Sequence, residues 1–567
     1  MEPGLEVVQG ALMAPGAPVG PGVEVEADCL RVRWLGTVPY ADAYALQRAM
    51  HAKRGRRYLL LLEHPPVFTM GARAMPEHML VDPESAGVDV VRVDRGGSVT
   101  YHGPGQLVGY VIVPVEMAPG AIPRHVHAIE QVVIDAVRDL GLDDVGRLDG
   151  FPGVWVAPGS SSPRKLCAVG VKVARGRSMH GFALNVSTDL GRFSEIVPCG
   201  LRDMGVTSLA NEHLSVSMPD AVDSIVRRGG QAWAPGGVYE RQDVSRHLVT
   251  RRASQDDESA GAPLGAAKPS WLRVKARMEK GYIGMGSMVR ELGLSTVCEE
   301  AGCPNIFECW EAGTATFMIN GDQCTRACGF CLVDTSRPLP IDPEEPSRVA
   351  EAISRMRLQH AVVTAVARDD LRDGGASGFV DTIKAVRERC AGVSIEVLVP
   401  DFKGVAAALD AVFAARPDVL NHNIETVARL QRRVRPSARY ARSLAVLALA
   451  KEAGLVTKSG MLLGVGETFE EVVGALWDLS AAGVDIVTLG QYLRPTAKHL
   501  PVSRWWRPEE LAELARIGME IGFAHVQASP FTRSSYHAKE ARQAASGSVE
   551  AFSRILSSAG GPGRGAR

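Results

Sequence analysis

The chain has 567 residues, 46% of them hydrophobic and 22% charged, and its 63 basic and 64 acidic residues leave a formal net charge of −1. This composition is typical of a folded globular protein, and the length exceeds what one hydrophobic core supports, so we expect at least two domains. The balanced charge argues against a nucleic-acid partner, and no apolar run approaches the roughly 18 residues of a spanning helix, which argues against a membrane partner.

The first part of the chain shows mixed helix and strand patterning. Residues 1–27 are rich in proline and glycine, which predicts a flexible segment without the apolar core of a secretory signal. Beyond them, a strand is predicted over 58–63 (YLLLLE), a helix with one apolar face over 124–140, and short strands over 153–186. We therefore expect an α+β domain over 28–248.

Four motifs of this domain combine glycines with a candidate nucleophile and a candidate base. They are RGGSVTYHGPGQLVGY (95–110), KLCAVGVKV (165–173), HGFALNV (180–186) and IVPCG (196–200). Glycines let a backbone approach a bound group closely. From the residues alone the alternatives stay open, because a glycine-rich loop is often only a turn. A lysine such as Lys165 is usually a surface charge, and a cysteine such as Cys199 is usually core packing.

Together the four motifs resemble the octanoyltransferase of lipoate assembly, whose fold is shared with lipoate and biotin protein ligases. The resemblance implies that Cys199 attacks the thioester of octanoyl–acyl carrier protein and that Lys165 accepts the proton. His102 would orient this pair or supply a charge that lowers the lysine pKa. The implied acceptors are the lipoyl domains of 2-oxoacid dehydrogenases and the glycine cleavage H protein. The implied substrate-binding residues are Arg95, Gly96, Gly97, His102, Gly103, Ala168, Val169, Gly170, Gly181 and Ala183.

Cys167 is a second candidate nucleophile in the same domain. Strand alternation puts it on the same face as Lys165. Its position relative to the octanoyltransferase motifs favours Cys199 as the nucleophile, and a supporting role for Cys167 stays open.

The second part of the chain alternates strand-like runs with amphipathic helical stretches. It follows a polar stretch at 249–268, rich in alanine, glycine and serine, that is predicted to be an interdomain linker. The predicted strands are 361–366, 394–399, 419–421, 459–463, 485–489 and 524–528, and the predicted helices are 378–390, 403–415, 440–453 and 468–482. Repeated strand–helix units build a parallel sheet with outer helices, so we expect an α/β partial (β/α)6 barrel over 269–545. A flexible tail is predicted over 546–567.

Six cysteines before most of these units form two sets of three. Their spacings are C-x4-C-x5-C (Cys298, Cys303, Cys309) and C-x3-C-x2-C (Cys324, Cys328, Cys331). Three thiolates hold three irons of a 4Fe–4S cube and leave the fourth iron open. A structural zinc site would have four ligands, and disulfides suit short secreted chains. The pattern therefore predicts two 4Fe–4S clusters at the mouth of the barrel, in a protein of the reducing cytoplasm.

The segment CTRACGFC (324–331) resembles the signature of radical S-adenosylmethionine enzymes. In these enzymes the open iron chelates S-adenosylmethionine, and an electron from the cube frees a 5′-deoxyadenosyl radical. VCEEAGCPNIFEC (297–309), RDDLRDGGA (368–376), NHNIETV (421–427) and RSSYHA (533–538) further resemble lipoyl synthase. That resemblance implies that the C-x4-C-x5-C triplet and Ser535 hold an auxiliary cluster, which is consumed as the sulfur source. It also implies an electron donor such as flavodoxin or ferredoxin.

Several polar residues of this part have two interpretations. Asp373, Gly374 and Gly375 follow an early strand and are placed to approach the amino group of S-adenosylmethionine, although a plain glycine turn explains them equally well. Glu425 and Lys458 either face the barrel cavity or form surface ion pairs. Without the resemblance, Ser535 would be interpreted as a cap or loop hydroxyl.

The two resemblances together imply a bifunctional lipoate-forming enzyme. Octanoyl would move to a lipoyl-domain lysine, and two sulfur atoms would then enter at carbons 6 and 8. One alternative is a first half that only docks octanoylated lipoyl domains. A weaker alternative is a biotin synthase, against which the C-x4-C-x5-C triplet and the RSSY motif speak. Because one linker tethers both halves, we also expect direct handover of the intermediate.

Overall fold

A computed structural model describes residues 29–53, 55–82, 87–197, 205–244, 268–272, 280–300, 303, 305–311, 315–536 and 538–545. The predicted flexible ends lie outside these residues, as does the predicted linker apart from Lys268. Those boundaries therefore stay predictions.

The first domain is a mixed sheet with helices on both faces. Its strands are β1 (Leu30–Thr37), β2 (Arg57–Glu63), β3 (Val67–Met70), β4 (Asp89–Arg92), β5 (Val99–His102), β6 (Gln106–Ile112), β7 (Val145–Leu148), β8 (Phe151–Val156), β9 (Arg164–Ala174), β10 (Arg177–Asn185), β11 (Gly205–Val206) and β12 (Tyr239–Asp243). Its helices are α1 (Tyr40–Ala52), α2 (Ala121–Asp139) and α3 (Met218–Trp233). Over the described residues the main sheet has the order β12-β1-β2-β6-β10-β9-β8-β7 with β11 beside β9, and β4-β3-β5 form a separate sheet. The predicted α+β class is confirmed.

Strand β2 shows why both faces of this sheet are covered. Leu59 and Leu61 pack into a core shared with α2 and α3. Tyr58, Leu60 and Leu62 pack into another core, shared with α1 and the second domain. A strand that is buried on both faces has a continuous apolar sequence rather than an alternating one. The run YLLLLE is therefore explained by a sheet that separates two cores.

The second domain is an open barrel of parallel strands surrounded by helices. Its strands are β13 (Ser295–Thr296), β14 (Thr316–Ile319), β15 (His360–Ala365), β16 (Ser394–Leu398), β17 (Val419–Asn421), β18 (Val456–Leu463), β19 (Ile486–Gln491) and β20 (His525–Ala528). Its helices are α4 (Lys280–Glu291), α5 (Val297–Glu300), α6 (Ile306–Glu311), α7 (Glu345–Met356), α8 (Ala376–Arg389), α9 (Ala406–Ala414), α10 (Gln431–Val434), α11 (Tyr440–Glu452), α12 (Phe469–Ala482) and α13 (Pro508–Ile521).

Strands β14 to β20 pair in chain order, all parallel, and β13 is antiparallel to β14. Six strand–helix units are followed by β20, which confirms the predicted partial barrel. The described part of the chain contains no helix that is both long and apolar enough to cross a membrane.

Lys458 and Glu396 form a fully buried ion pair inside the barrel. Lys458 Nζ lies 3.0 and 3.1 Å from the two carboxylate oxygens of Glu396, and Asn421 Nδ2 donates to the same carboxylate at 3.0 Å. Burial alone would raise the pKa of Glu396, but the Lys458 ammonium lowers it to about 2. Both sequence-based alternatives for Lys458 are therefore wrong, because it is paired within the barrel, neither facing the cavity nor exposed.

The two domains pack against each other through α1 and α11. The helices are parallel, since Asp42 near the start of α1 pairs with Arg442 near the start of α11 at 3.0 Å. Towards the ends of the same helices, Arg48 pairs with Glu452 at 2.8 Å. Apolar side chains of both helices belong to one continuous buried core. The contact between the domains, which the sequence leaves open, is therefore a packed interface.

A buried ion pair lies at the centre of this interface. Arg33 of β1 donates through Nε to Asp478 of α12 at 2.9 Å, and both side chains are 1% exposed. Arg33 also pairs with Glu240 at 3.1 Å, and the Tyr440 hydroxyl donates to Asp478 at 3.0 Å. Burial alone would lower the pKa of Arg33, but the Asp478 and Glu240 carboxylates raise it well above its ordinary value. Removal of Asp478 would leave the buried Arg33 paired only with the partly exposed Glu240, and removal of Arg33 would leave the buried Asp478 without its arginine.

We predict that Asp478→Ala lowers the free energy of unfolding of the metal-free chain by about 3–5 kcal/mol, because Arg33 loses its main counter-charge in a buried site. The matched control is Glu452→Ala, which breaks an ion pair whose side chains are 39% and 53% exposed. That control should cost less than about 1 kcal/mol. Urea unfolding measures both values, and equal effects of the two variants would contradict the central role of the buried pair.

Candidate active sites

A small cavity lies in the first domain beside the start of α1. Its volume is about 60 Å³, and its walls come from the glycine-rich segment and from facing parts of β9 and β10. The predicted substrate-binding residues that line it are Arg95, Gly96, Gly97, His102, Ala168, Val169, Gly170, Gly181 and Ala183. Gly103 does not line it and instead packs against Tyr101, where a Cβ atom would lie 2.2 Å from the phenol oxygen.

Arg95 holds the glycine-rich segment in place. Its guanidinium donates to the carbonyl oxygens of Thr69 at 2.7 Å, Gly96 at 3.1 Å and Ser98 at 2.9 Å. A Cβ atom at Gly170 would lie only 2.9 Å from the Gly96 carbonyl oxygen. Glycine is therefore required where the segment crosses β9, because the two backbones approach too closely for a side chain.

His102 is a buried, neutral imidazole. Its Nδ1 lies 2.7 Å from Gln106 Oε1, and its Nε2 lies 3.3 Å from Thr69 Oγ1. Burial, and after it the neighbouring His64, lowers the pKa of His102 well below its ordinary value. A neutral imidazole cannot supply the positive charge that the sequence analysis considered, so that option is wrong.

A chain of hydrogen bonds connects His102 with the strand that carries Lys165. Gln106, the partner of His102, donates to Asn185 Oδ1 at 2.9 Å, and Asn185 donates to the Thr207 carbonyl oxygen at 2.9 Å. The Thr207 N–H group then donates to the Lys165 carbonyl oxygen at 3.0 Å. The orienting role of His102 stays a prediction, and this chain is the route by which it would act.

Lys165 lies near the start of β9 as a buried amine with 8% exposure. Its Nζ donates to the Pro152 carbonyl oxygen at 3.1 Å and lies 4.6 Å from the centroid of the Trp155 ring. It does not line the small cavity itself, but it precedes Ala168, which does, on the same strand. Lys165 is therefore not the solvated surface charge that a single lysine usually is.

Cys199 lies outside the described residues. The described residues on either side of it are Val197 and Gly205. Val206, which follows Gly205, pairs with Lys165 in the sheet. The rival Cys167 is fully buried in the apolar core, where burial strongly raises the pKa of its thiol. A nucleophilic cysteine needs an accessible thiolate. Cys167 is therefore a packing residue, and its candidacy as a nucleophile is wrong.

We predict that Cys167 resists alkylation by iodoacetamide at pH 8 in the folded chain and reacts fully in urea, because its thiol is inaccessible and protonated when folded. Peptide mass spectrometry measures the modified fraction at each cysteine. Rapid modification of Cys167 under native conditions would contradict its assignment to the core.

A second cavity, of about 610 Å³, lies at the carboxyl ends of the barrel strands. The predicted cluster ligands that line it are Cys298, Cys303, Cys324, Cys328, Cys331 and Ser535. The C-x3-C-x2-C loop follows β14, which is the position that the sequence predicts. Cys309 lies on α6, half-buried against the apolar core behind this wall.

Two amide side chains connect the RSSY segment with neighbouring parts of the cavity wall. Asn305, on the loop of the C-x4-C-x5-C triplet, donates to the Phe531 carbonyl oxygen at 2.6 Å. Asn423 donates to Ser534 Oγ at 2.6 Å. These bonds bring Ser535 to the same cavity as Cys298 and Cys303, although its role as an iron ligand stays a prediction.

The cavity is suited to thiolates only if positive charge is beside them. Burial raises the pKa of the Cys331 thiol to about 12. Arg326, Arg435 and Arg533 line the wall, and Glu425 is the acidic residue among them. Iron adds the positive charge that a buried thiolate requires.

The thiols of the C-x3-C-x2-C triplet are neighbours in the cavity wall, since burial and, after it, Cys328 and Cys324 raise the pKa of the Cys331 thiol. Among the described residues, no three cysteine, histidine or acidic side chains converge closely enough to hold one metal ion. In a 4Fe–4S cube each thiolate binds a different iron, so the ligands surround the cluster at separate corners. A cube therefore does not require three thiols on one iron.

Arg326, which the sequence analysis missed, fixes the loop of the C-x3-C-x2-C triplet. Its guanidinium donates to both carboxylate oxygens of Asp369 at 2.8 Å and to Asp401 at 2.6 Å. Thr325 Oγ1 adds a bond to the Ala367 carbonyl oxygen at 2.8 Å. These contacts tie the loop to the ends of β15 and β16. Its position between two cysteines of CTRACGFC was the sequence feature that could have indicated this role.

Glu425 lies in the cavity wall, so the cavity alternative is confirmed for this residue. Its backbone has φ of +64°, a conformation that is uncommon for a residue with a side chain. Burial raises the pKa of its carboxyl group. Such backbone strain is typical of residues held for a functional site.

Asp373, Gly374 and Gly375 form the turn that precedes and begins α8. The Asp373 carboxylate accepts hydrogen bonds from the N–H groups of Gly375 at 3.0 Å and Ser377 at 2.8 Å. The glycines have φ of +63° and +86°. None of the three lines the large cavity. Their geometry favours the glycine-turn alternative, and a contact with S-adenosylmethionine stays a prediction.

The small cavity is also lined by residues that were not predicted to bind substrate, among them Tyr40, Tyr110, Phe182 and His180. His180 has φ of +59° although it lies within β10, and its Nε2 lies 2.9 Å from Asp94 Oδ1. His180 and Phe182 belong to the quoted motif HGFALNV, so the sequence motif could have identified them as cavity residues. Tyr110 likewise ends the quoted motif RGGSVTYHGPGQLVGY, whereas Tyr40 lies outside every quoted motif.

Family models match the two halves separately. Residues 39–228 match the model described as lipoyl protein ligase A/B catalytic domain. Residues 318–477 match the model of the radical SAM superfamily. These matches fall on the domain with the small cavity and on the barrel with the large one.

Curated relatives cover the second half. The lipoyl synthase of Mycobacterium avium is 56% identical over 271 residues, which are 48% of this chain and 88% of that protein. The lipoyl synthase of Rubrobacter xylanophilus is 54% identical over 275 residues, which are 48% of this chain and 86% of that protein.

Solved structures overlap each half. A lipoate protein ligase of Thermoplasma acidophilum covers 38% of this chain and 87% of its own, with 18% identity and a TM-score of 0.32. A methylornithine synthase covers 43% of this chain and 70% of its own, with 16% identity and a TM-score of 0.31.

Proposed function

This chain belongs to the lipoyl synthase family through its second half, and its first half matches the lipoyl protein ligase A/B catalytic domain. We propose that this one polypeptide performs two consecutive steps of lipoate biosynthesis. The first step transfers octanoyl from acyl carrier protein to a lipoyl-domain lysine. The second inserts sulfur at carbons 6 and 8. The observation that carries the proposal is that thiols of both triplets and Ser535 line one cavity.

Octanoyl transfer proceeds through two acyl exchanges. The Cys199 thiolate attacks the thioester carbonyl carbon, the bond to the carrier sulfur breaks, and the carrier thiol leaves with a proton. The lipoyl-domain lysine then attacks the Cys199 thioester, an amide forms, and Cys199 leaves as thiolate. Lys165 is the group that takes and returns these protons. Its Nζ is held by the Pro152 carbonyl oxygen and the Trp155 ring, so the amine is pre-positioned.

We predict that Cys199→Ser and Lys165→Met each lower the rate of octanoyl transfer by about 10²–10⁴-fold, because one removes the nucleophile and the other the proton acceptor. The matched control, Cys167→Ala, should keep the rate within about threefold since that thiol is only packing. Gel-shift or mass measurement of the lipoyl domain gives the rate. Full activity of Cys199→Ser would contradict the thioester route through Cys199. A parent protein without transfer activity would instead support the alternative in which the first half only docks octanoylated domains.

Sulfur insertion would use the large cavity. Cys324, Cys328 and Cys331 would hold the cluster that binds S-adenosylmethionine, and the auxiliary ligand set would be Cys298, Cys303, Cys309 and Ser535. When bound, the first cluster would supply the electron that cleaves S-adenosylmethionine, and the auxiliary cluster would supply the sulfur that enters the product.

The chain's own residues prepare this cavity for the acyl chain and the clusters. Val362, Met461 and Leu462 form an apolar part of the wall that accepts an octanoyl chain and excludes water. Arg435 and Arg533 place positive charge beside the thiolates. Ser535, a weaker ligand than a thiolate, would mark the iron that is lost first.

We predict that the anaerobically reconstituted chain binds about eight irons and about eight sulfides, because the two triplets each hold one cube. The triple variant Cys324→Ala, Cys328→Ala, Cys331→Ala should retain about four of each. Colorimetric iron and sulfide analysis measures both. A parent protein with only about four irons would contradict the auxiliary cluster.

The remaining partners of the proposal follow from its chemistry. The donor and acceptor are octanoyl–acyl carrier protein and the lipoyl domains of 2-oxoacid dehydrogenases and the glycine cleavage H protein. A reductant such as flavodoxin or ferredoxin supplies electrons. A reducing, cytoplasmic setting keeps the cluster thiols free.

A further inference from the structure

Lys165 and the glycine-rich loop of the first domain lie at the same end of the strands of its main sheet. Gly105, in this loop, donates its N–H group to Glu63 at the carboxyl end of β2 at 2.9 Å. Lys165 lies at the same end, because β6, β10 and β9 are successively antiparallel. At this end β1 also ends and α1 begins. Tyr40, the first residue of α1, lines the small cavity.

The large cavity lies at the corresponding end of α11. A helix that follows a parallel strand begins at the carboxyl end of that strand, which in a barrel is the mouth. Because α1 and α11 are parallel, with Asp42 beside Arg442 and Arg48 beside Glu452, their starting ends coincide. Both cavities therefore lie at the same end of the molecule, and the buried Arg33–Asp478 pair fixes that relation.

One segment, residues 428–439, runs from the first domain to the barrel mouth. At its far end Arg439 donates to the Thr37 carbonyl oxygen of the first domain at 3.0 Å. At Val434 it accepts a hydrogen bond from the Gly329 N–H group, in the C-x3-C-x2-C loop, at 2.9 Å. Arg432 and Arg439 are exposed on this segment, and Arg433 is partly exposed. An arginine-rich surface thus runs from the domain seam to the barrel mouth.

We propose that segment 428–439 is the docking surface for one lysine-bearing carrier domain with an acidic face, and that this single docking position serves both cavities. The inference rests on the proposed function and adds where the shared substrate binds. Clustered arginines attract an acidic partner and orient it before contact. A carrier bound at the seam presents its lysine to the first cavity, and its octanoylated lysine to the second, without a change of docking surface.

The test measures both half-reactions on the full chain in the double variant Arg432→Glu, Arg433→Glu. An unmodified lipoyl domain is the substrate for transfer, and an octanoylated lipoyl domain is the substrate for sulfur insertion. The matched control is Lys384→Glu, Arg387→Glu, which makes the same charge change on the exposed side of α8. If charge reversal lowers the iron content, the neutral variant Arg432→Gln, Arg433→Gln replaces it.

We expect the double variant to raise the KM for the lipoyl domain about tenfold in both half-reactions, with the kcat of transfer unchanged. The neutral variant should raise the KM for the lipoyl domain about threefold in both reactions, and the control variant should raise neither KM. At about 0.5 M salt the difference from the parent protein should disappear.

The docking proposal would be overturned if the KM for the lipoyl domain rose in only one of the two reactions or in neither. An equal rise in the control variant would also overturn it. An increase confined to the KM for octanoyl–acyl carrier protein would also overturn it, since the surface would then serve the donor. A parent protein that catalyses neither half-reaction would instead refute the proposed function, so the two failures are distinguishable.

Discussion

The relation between the two halves depends on the ion pair of Arg33 with Asp478. Both side chains are almost fully buried, so the pair forms only when β1 of one domain and α12 of the other are packed together. The Tyr440 hydroxyl satisfies a further lone pair of Asp478 and thereby includes α11 in the same network. A buried charge without its partner is strongly unfavourable. The pair therefore favours the one arrangement of the two domains in which both charges are paired. Beside this pair, α1 packs parallel to α11 through the pairs Asp42–Arg442 and Arg48–Glu452.

That packing has a consequence for chemistry, because each helix begins beside a cavity. Tyr40 at the start of α1 lines the cavity that carries the glycine-rich segment. The start of α11 faces the barrel mouth, where Arg326 holds the C-x3-C-x2-C loop against Asp369 and Asp401. Asp42 and Arg442 join the two helices near these starts. Two sites that belong to different families therefore become neighbours through ordinary helix packing.

Much of the fold could be predicted from local patterns. Parallel strands buried on both faces are short apolar runs, so 361–366 and 394–399 were recognisable, and the structure places strands at 360–365 and 394–398. Cysteine spacing indicated the predicted cluster ligands. Of these, all but Cys309 line the large cavity. The glycine-rich motifs likewise identified most of the small cavity's lining, with Gly103 as the exception.

Contacts between distant residues could not be predicted in the same way. No helix or strand is predicted from the sequence over Tyr40–Ala52, and Arg33 and Asp478 are 445 positions apart. Lys458 looked like a cavity or surface charge because its counter-ion Glu396 lies on a different strand. The neutral state of His102 depends on burial and on His64, which local sequence does not report.

The most direct test of the account is a single reaction with the full chain, followed by intact mass measurement of the lipoyl domain. The mixture contains octanoyl–acyl carrier protein, S-adenosylmethionine, a reductant and the unmodified domain, without any other enzyme. We predict that the domain first gains one octanoyl group and then two sulfur atoms, both on the same lysine. A domain that stays unmodified, or that gains octanoyl but never sulfur from a cluster-loaded chain, would contradict it.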